Sequence, residues 1–76
     1  MATFLVERYW PGVTVEAARA VSASLAGRGP TVVQTIVTAT DEVCMWYVEA
    51  ASAGDVRAAF DAVAAPIDRI SAAEGG

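Results

Sequence analysis

Residues 31–50 read TVVQTIVTATDEVCMWYVEA, the clearest β-hairpin in the chain. Between Thr31 and Thr40 every residue except Gln34 and Ala39 is β-branched. Branching at Cβ stiffens χ1 and favours extended backbone, so Thr31–Thr40 reads as a strand. Val43–Ala50 (VCMWYVEA) is rich in aromatic and branched residues and reads as another. Asp41-Glu42 is the polar turn between them, which makes a hairpin.

N-terminal to the hairpin, Thr3–Tyr9 (TFLVERY) is a further strand, stopped by Pro11-Gly12. Thr14 is a helix N-cap, and Glu16 sits in the first turn, where the helix dipole favours negative charge. Val15, Ala18, Val21, Ser22 and Leu25 then share one helical face. Gly27 ends that helix and Gly29-Pro30 blocks its continuation. On the other side, Ser52 caps a second helix with Asp55 three residues on, as in a capping box. Val56, Ala59, Phe60 and Val63 form its core stripe. After Pro66, Ile67–Ala72 (IDRISA) is a short fourth strand, and residues 72–76 are expected to fray.

The order β-α-β-β-α-β predicts an α+β fold. Its sheet has four antiparallel strands in the order 4-1-3-2, with both helices on one face. The first and third strands are expected side by side in the middle, running parallel. Charge sets the parity, because a carboxylate under a helix would be desolvated at a cost of several kcal/mol. Glu7 and Glu49 therefore point away from the helices, and Leu5, Tyr9, Met45 and Tyr47 go with them. Phe4, Val6, Cys44, Trp46 and Val48 go under the helices. Arg8 breaks this parity but is close enough to the strand end to reach solvent. In the second strand, Gln34 assigns Val32, Gln34 and Ile36 to the open face.

Seventy-six residues make one domain, 1–76. Apolar residues are 55% and charged residues 18%, which excludes a disordered tail. Apolar runs are too short to span a membrane, and no basic segment leads into a long apolar core. The net charge is −4 and all five basic residues are arginines, which weighs against nucleic-acid or membrane-surface binding. One cysteine, Cys44, has no internal disulfide partner, which points to the cytoplasm. With no histidine, Ser-His-Asp and Cys-His catalysis and every histidine-bearing metal site are excluded.

FLVERYWPG at the start, DEVCMWYVEA in the middle and APIDRISAA at the end resemble a family of small bacterial ferredoxin-like proteins. It is a family of unknown function that includes a nickel-binding, nickel-responsive member. The shared pieces are Val6-Glu7-Arg8, the Cys44 strand ending in Glu49-Ala50, and Asp68-Arg69-Ile70, and the match spans nearly the whole chain. The resemblance implies a dimeric ferredoxin-like domain with a part in metal binding. Nickel favours imidazole and thiolate ligands. This chain has one Cys and no His, so no nickel ligand carries over, and Glu7, Glu49 and Asp68 are the weak metal candidates.

An uncovered apolar sheet face marks a partner surface, and the expected partner is a second copy. The candidate ligand-binding residues are Glu7, Arg8, Tyr9, Tyr47, Glu49 and Arg69. Glu7 and Glu49 on neighbouring strands would form a carboxylate pair, able to do acid–base work or hold a hard cation. Their alternative role is ion pairing with arginine. Tyr9 and Tyr47 would line a cavity for a flat ligand, or pack in the interface. Trp46 is expected in the core, and Trp10 at the cavity rim or over the strand end. Cys44 is expected to be a buried, inert thiol whose pKa Asp41 and Glu42 raise. Arg8, Asp68 and Arg69 suggest a cross-strand salt bridge with the first strand, or anion capture. The favoured function is a cytoplasmic homodimeric binding module holding a small molecule or a metal ion. The alternatives are a cofactor-independent oxygenase or isomerase of the dimeric α+β-barrel type, with Glu7 or Glu49 as base and Tyr9 or Tyr47 orienting the substrate, and an interaction protein with no ligand.

Overall fold

The computed structural model describes residues 1–73. The elements are β1 (Ala2–Tyr9), α1 (Val15–Leu25), β2 (Thr31–Thr38), β3 (Val43–Ala50), α2 (Ala53–Ala62) and β4 (Arg69–Ala72). Both helices start at the expected caps. Thr14 Oγ1 accepts the Ala17 N–H at 3.1 Å, and Ser52 Oγ accepts the Asp55 N–H at 3.1 Å. Each bond satisfies an amide that the helix leaves free. Gly27 turns left-handed at φ 78° and ends α1.

The sheet is antiparallel with the order β2-β3-β1-β4, which is the expected order read from its other edge. This arrangement is compatible with a ferredoxin-like unit. One expectation is corrected: β1 and β3 run antiparallel, not parallel. Through α1 the chain returns so that β2 runs parallel to β1, one strand away. The hairpin then reverses β3 into the gap, where it opposes both neighbours.

Two boundaries differ from the sequence reading. β2 ends at Thr38, because Ala39 and Thr40 belong to the turn, where Glu42 N–H donates to Ala39 O at 3.2 Å. β4 begins at Arg69 rather than Ile67. Asp68 stands ahead of it as a side-chain extension of the ladder. Its N–H donates to Glu7 O at 2.9 Å, and its Oδ2 accepts the Tyr9 N–H at 2.6 Å. The chain is still tied down at 72 and 73: Ala72 lies in β4, and Ala73 N–H donates to Thr3 O at 2.9 Å. The rest of the expected fraying, residues 74–76, falls outside the described residues.

The core lies between the sheet and both helices. Val6, Cys44, Trp46 and Val48 from the strands meet Ala18, Leu25, Val56 and Phe60 from the helices, all without solvent exposure. Trp46 joins the layers. Its indole N–H donates to Ala18 O at 3.4 Å, and its ring meets Phe60 edge-on at 5.3 Å. Two face assignments are corrected. Val15, expected on the core stripe of α1, is 45% exposed. Val13, ahead of the cap, is buried in its place together with Ala18, in the manner of a hydrophobic staple. In β2, a bulge between Val32 and Gln34 changes the parity. Val32 pairs with the buried Val48 and so lies on the helix side, whereas Gln34 and Ile36 pair with Tyr47 and Met45 on the open side.

α2 ends with Ala64 at φ 55°, a conformation in which a Cβ is crowded. Ala64 is exposed. Ala64→Gly is therefore expected to raise stability by about 0.5–1 kcal/mol, read as a higher urea midpoint at unchanged slope.

Candidate functional site

The open face is built from four cross-strand rows. The two central rows run Ile36–Met45–Glu7–Arg69 and Gln34–Tyr47–Leu5–Ser71. Thr38–Val43–Tyr9 flanks them on one side and Thr31–Glu49–Thr3 on the other. Leu5, Ile36, Met45 and Tyr47 make a contiguous apolar centre, each half-buried by its neighbours although no helix covers it. Thr, Ser, Gln, Glu and Arg side chains border it, and Val43 and Tyr9 lie in the row beyond Met45 and Glu7.

The expected carboxylate pair does not form. Glu7 and Glu49 share the open face, but Glu7 lies opposite Met45 and Glu49 opposite Thr3. Four residues on neighbouring antiparallel strands separate them by about 13 Å along the strand direction. Tyr9 and Tyr47 are two rows apart in the same way, so they do not line one cavity. Both separations follow from the antiparallel pairing of β1 with β3.

Glu7 instead faces Arg69, with Oε2 3.8 Å from Nε, the cross-strand pairing expected from the sequence. The Arg69 side chain is 73% exposed, so the ion pair is screened and adds little to stability. Arg69 Nε also donates to Ser71 Oγ at 3.0 Å, which holds the guanidinium along the strand.

At the end of β1 the polar groups serve the architecture. Glu42 Oε2 accepts the Gly12 N–H at 3.0 Å, and its Oε1 accepts from the Tyr9 hydroxyl at 3.4 Å. The Glu42 carbonyl accepts the Trp10 N–H at 2.7 Å. One residue therefore holds the β1–α1 loop against the hairpin turn, and it does so at φ 56°. From the sequence, Glu42 is no more than half of the polar turn Asp41-Glu42. Its role depends on the loop that folding brings alongside, and no local pattern encodes that. Arg8, on the helix-side parity, reaches the end of its strand and lays its guanidinium 3.8 Å over the Trp10 ring. Trp10 thus covers the strand end and does not rim a cavity on the open face.

Cys44 is fully buried, and burial pushes its thiol up from 9.0 to about 11, with Arg8 partly offsetting the shift. The cause is desolvation rather than Asp41 and Glu42. A protonated, inaccessible thiol is neither a ready nucleophile nor a ready ligand. Among the described residues no three His, Cys, Asp or Glu side chains come together as a metal site. Glu7 is paired with Arg69, Asp68 with a backbone amide, and Glu49 stands apart. This donor set does not fit nickel.

Two open grooves run beside the helix layer. One of about 590 Å³ lies between the Gly27–Pro30 loop and α2, with Arg28 and Asp55 among small residues. The other, of about 550 Å³, lies between the second half of α1 and the outer edge of β2. No described helix is long and apolar enough to cross a membrane.

Two outcomes follow for the strand-end residues. Glu42→Ala keeps the strained backbone and loses both side-chain contacts, so it is expected to cost about 1–2 kcal/mol. Glu42→Gly also loses the contacts but relieves the strain, and should recover about 1 kcal/mol of that in a denaturant titration. For Cys44, the folded pKa lies above the unfolded one, so folding favours the protonated thiol. Its contribution is complete below pH 9 and is lost as pH rises towards about 11. The stability of the wild type should therefore fall more steeply over that window than that of Cys44→Ala. Equal slopes would show that the thiol is not perturbed.

No protein-family model, curated protein or solved structure matches the chain significantly.

Proposed function

We propose that this chain is a non-enzymatic binding module that works as a homodimer, with the open sheet face of each copy covering that of the other. The observation that carries this reading is the apolar centre of Leu5, Ile36, Met45 and Tyr47 on a face that no helix covers. An apolar centre with a polar rim is the usual anatomy of a protein interface. A sheet of four strands, up to eight residues long, has an outline of about 500 Å². Apolar centre and polar rim together therefore come close to the lower end of what a specific interface needs on each side.

The charge pattern favours a second copy as the occupant. On this face β2 carries no charged side chain, Glu7 of β1 and Arg69 of β4 neutralise each other, and Glu49 of β3 stands in the outermost row, away from the apolar centre. Two such faces meet without burying an unpaired charge at their centre. A reducing, cytoplasmic setting suits the free, buried Cys44. Any small ligand would lie in the seam beside Tyr47, whose ring and hydroxyl offer one apolar and one polar contact. Nickel is not part of this reading, because the donor set does not fit it.

Sedimentation equilibrium tests the proposal. At low micromolar concentration the wild type should have twice the chain mass of 7.8 kDa. Leu5→Glu puts a charge at the centre of the face and should give a monomer with an unchanged far-UV spectrum. A wild type that stays monomeric at that concentration would refute the reading.

A further inference from the structure

We infer that the outer edge of β2 is a second self-association site, at which β2 pairs antiparallel with β2 of another copy to extend the sheet. This surface is distinct from the open face. Strand β2 lies at the end of the sheet and has β3 as its only strand partner among the described residues. The backbone groups that point away from β3 are therefore open to a further strand.

Natural edges are usually blunted by charge, proline or shortness. At the opposite edge, β4 has four residues and begins with Arg69. In β2, eight residues run TVVQTIVT, with no charge, no proline, and a branched Cβ everywhere but Gln34. The bulge is its one blunting feature, and it leaves Val33 59% exposed. Beside this edge lies the groove of about 550 Å³, floored in part by Leu25 and walled by Ser22, Ala23 and Ala26. An added strand would direct alternate side chains into that groove.

The chemistry of the groove selects the occupant. None of its lining residues is charged, so a charged segment would lose solvation there without gaining a partner. The strand that fits is extended, uncharged and β-branched. Among the described strands β2 alone is free of charge: β1 carries Glu7 and Arg8, β3 Glu49 and β4 Arg69. Antiparallel pairing of a strand with its own copy is a two-fold operation, so the edge is complementary to itself. A single pair of strands, bulged and without its own apolar face to bury, pairs weakly, so this contact should form well above the concentration that closes the open face.

The test is sedimentation equilibrium up to near-millimolar concentration. The wild type should rise from the two-chain mass to four chains or more, since each dimer carries two β2 edges. Val33→Lys and Val33→Glu change the net charge in opposite directions, and both should stop at two chains, with edge association weakened at least tenfold. Val33 is exposed, so both variants should keep the wild-type melting temperature. In the Leu5→Glu background, dimers should still form at high concentration and disappear in the double variant. A synthetic peptide of residues 31–38 should protect β2 amides of Leu5→Glu from hydrogen exchange, and the same peptide with Lys in place of Val33 should not. Failure of the wild type to exceed two chains, or Val33 variants that associate like the wild type, would overturn the inference and leave the face-to-face dimer standing. Equal protection by a charged peptide of unrelated sequence would overturn the choice of a second copy as occupant. If Leu5→Glu leaves the mass unchanged at low concentration while the Val33 variants lower it at high concentration, the edge stands and the face-to-face reading fails.

Discussion

A sheet with two helices has one side to cover and one side left over, and the rest of this molecule follows from which side Trp46 takes. Its indole is fully buried between the layers, with its N–H on the Ala18 carbonyl and its ring against Phe60. A side chain of this size removes a large apolar area from water and still needs a partner for one polar atom. Both needs are met by α1 and α2 together. Once Trp46 points inward, the period of two along β3 sends Cys44 and Val48 with it and turns Met45, Tyr47 and Glu49 outward. Register then carries the choice to β1, where Val6 lies opposite Trp46 and Leu5 opposite Tyr47.

The polar residues that look most like chemistry turn out to hold the backbone. Asp68 extends the β1 ladder beyond the end of β4, and Glu42 gathers the loop after β1 onto the hairpin turn. Carboxylates suit this work because each offers several acceptor sites and binds amides more strongly than a neutral oxygen does. Arg8, placed where the core would otherwise receive a charge, escapes along its strand to stack on Trp10. Among the described residues, no charged or polar one is left in the core. The two surfaces proposed for association are the uncovered sheet face and the β2 edge.

The two surfaces differ in kind. The open face has side chains to bury and a rim to keep wet, so its energetics are those of apolar area. The edge has backbone groups to pair, and its selectivity comes from the absence of charge along the groove. Covering the first does not cover the second, because stacking acts perpendicular to the sheet and strand addition acts within it.

The elements, their order, both helix caps and the parity of β1 and β3 are legible in the residues alone. These depend on short-range signals: branched residues, Thr14 and Ser52 before helical stripes, and the cost of burying Glu7 or Glu49. The absence of histidine chemistry is legible there too. That β1 and β3 oppose each other, and with that, that Glu7 and Glu49 stand apart, emerges with the folded sheet. The bulge that turns Val32 inward, the strained anchor at Glu42 and the burial that raises the Cys44 pKa are also tertiary results. Each depends on which segment lies alongside, and strand direction and loop contact arise between residues far apart in the chain, where no local pattern records them.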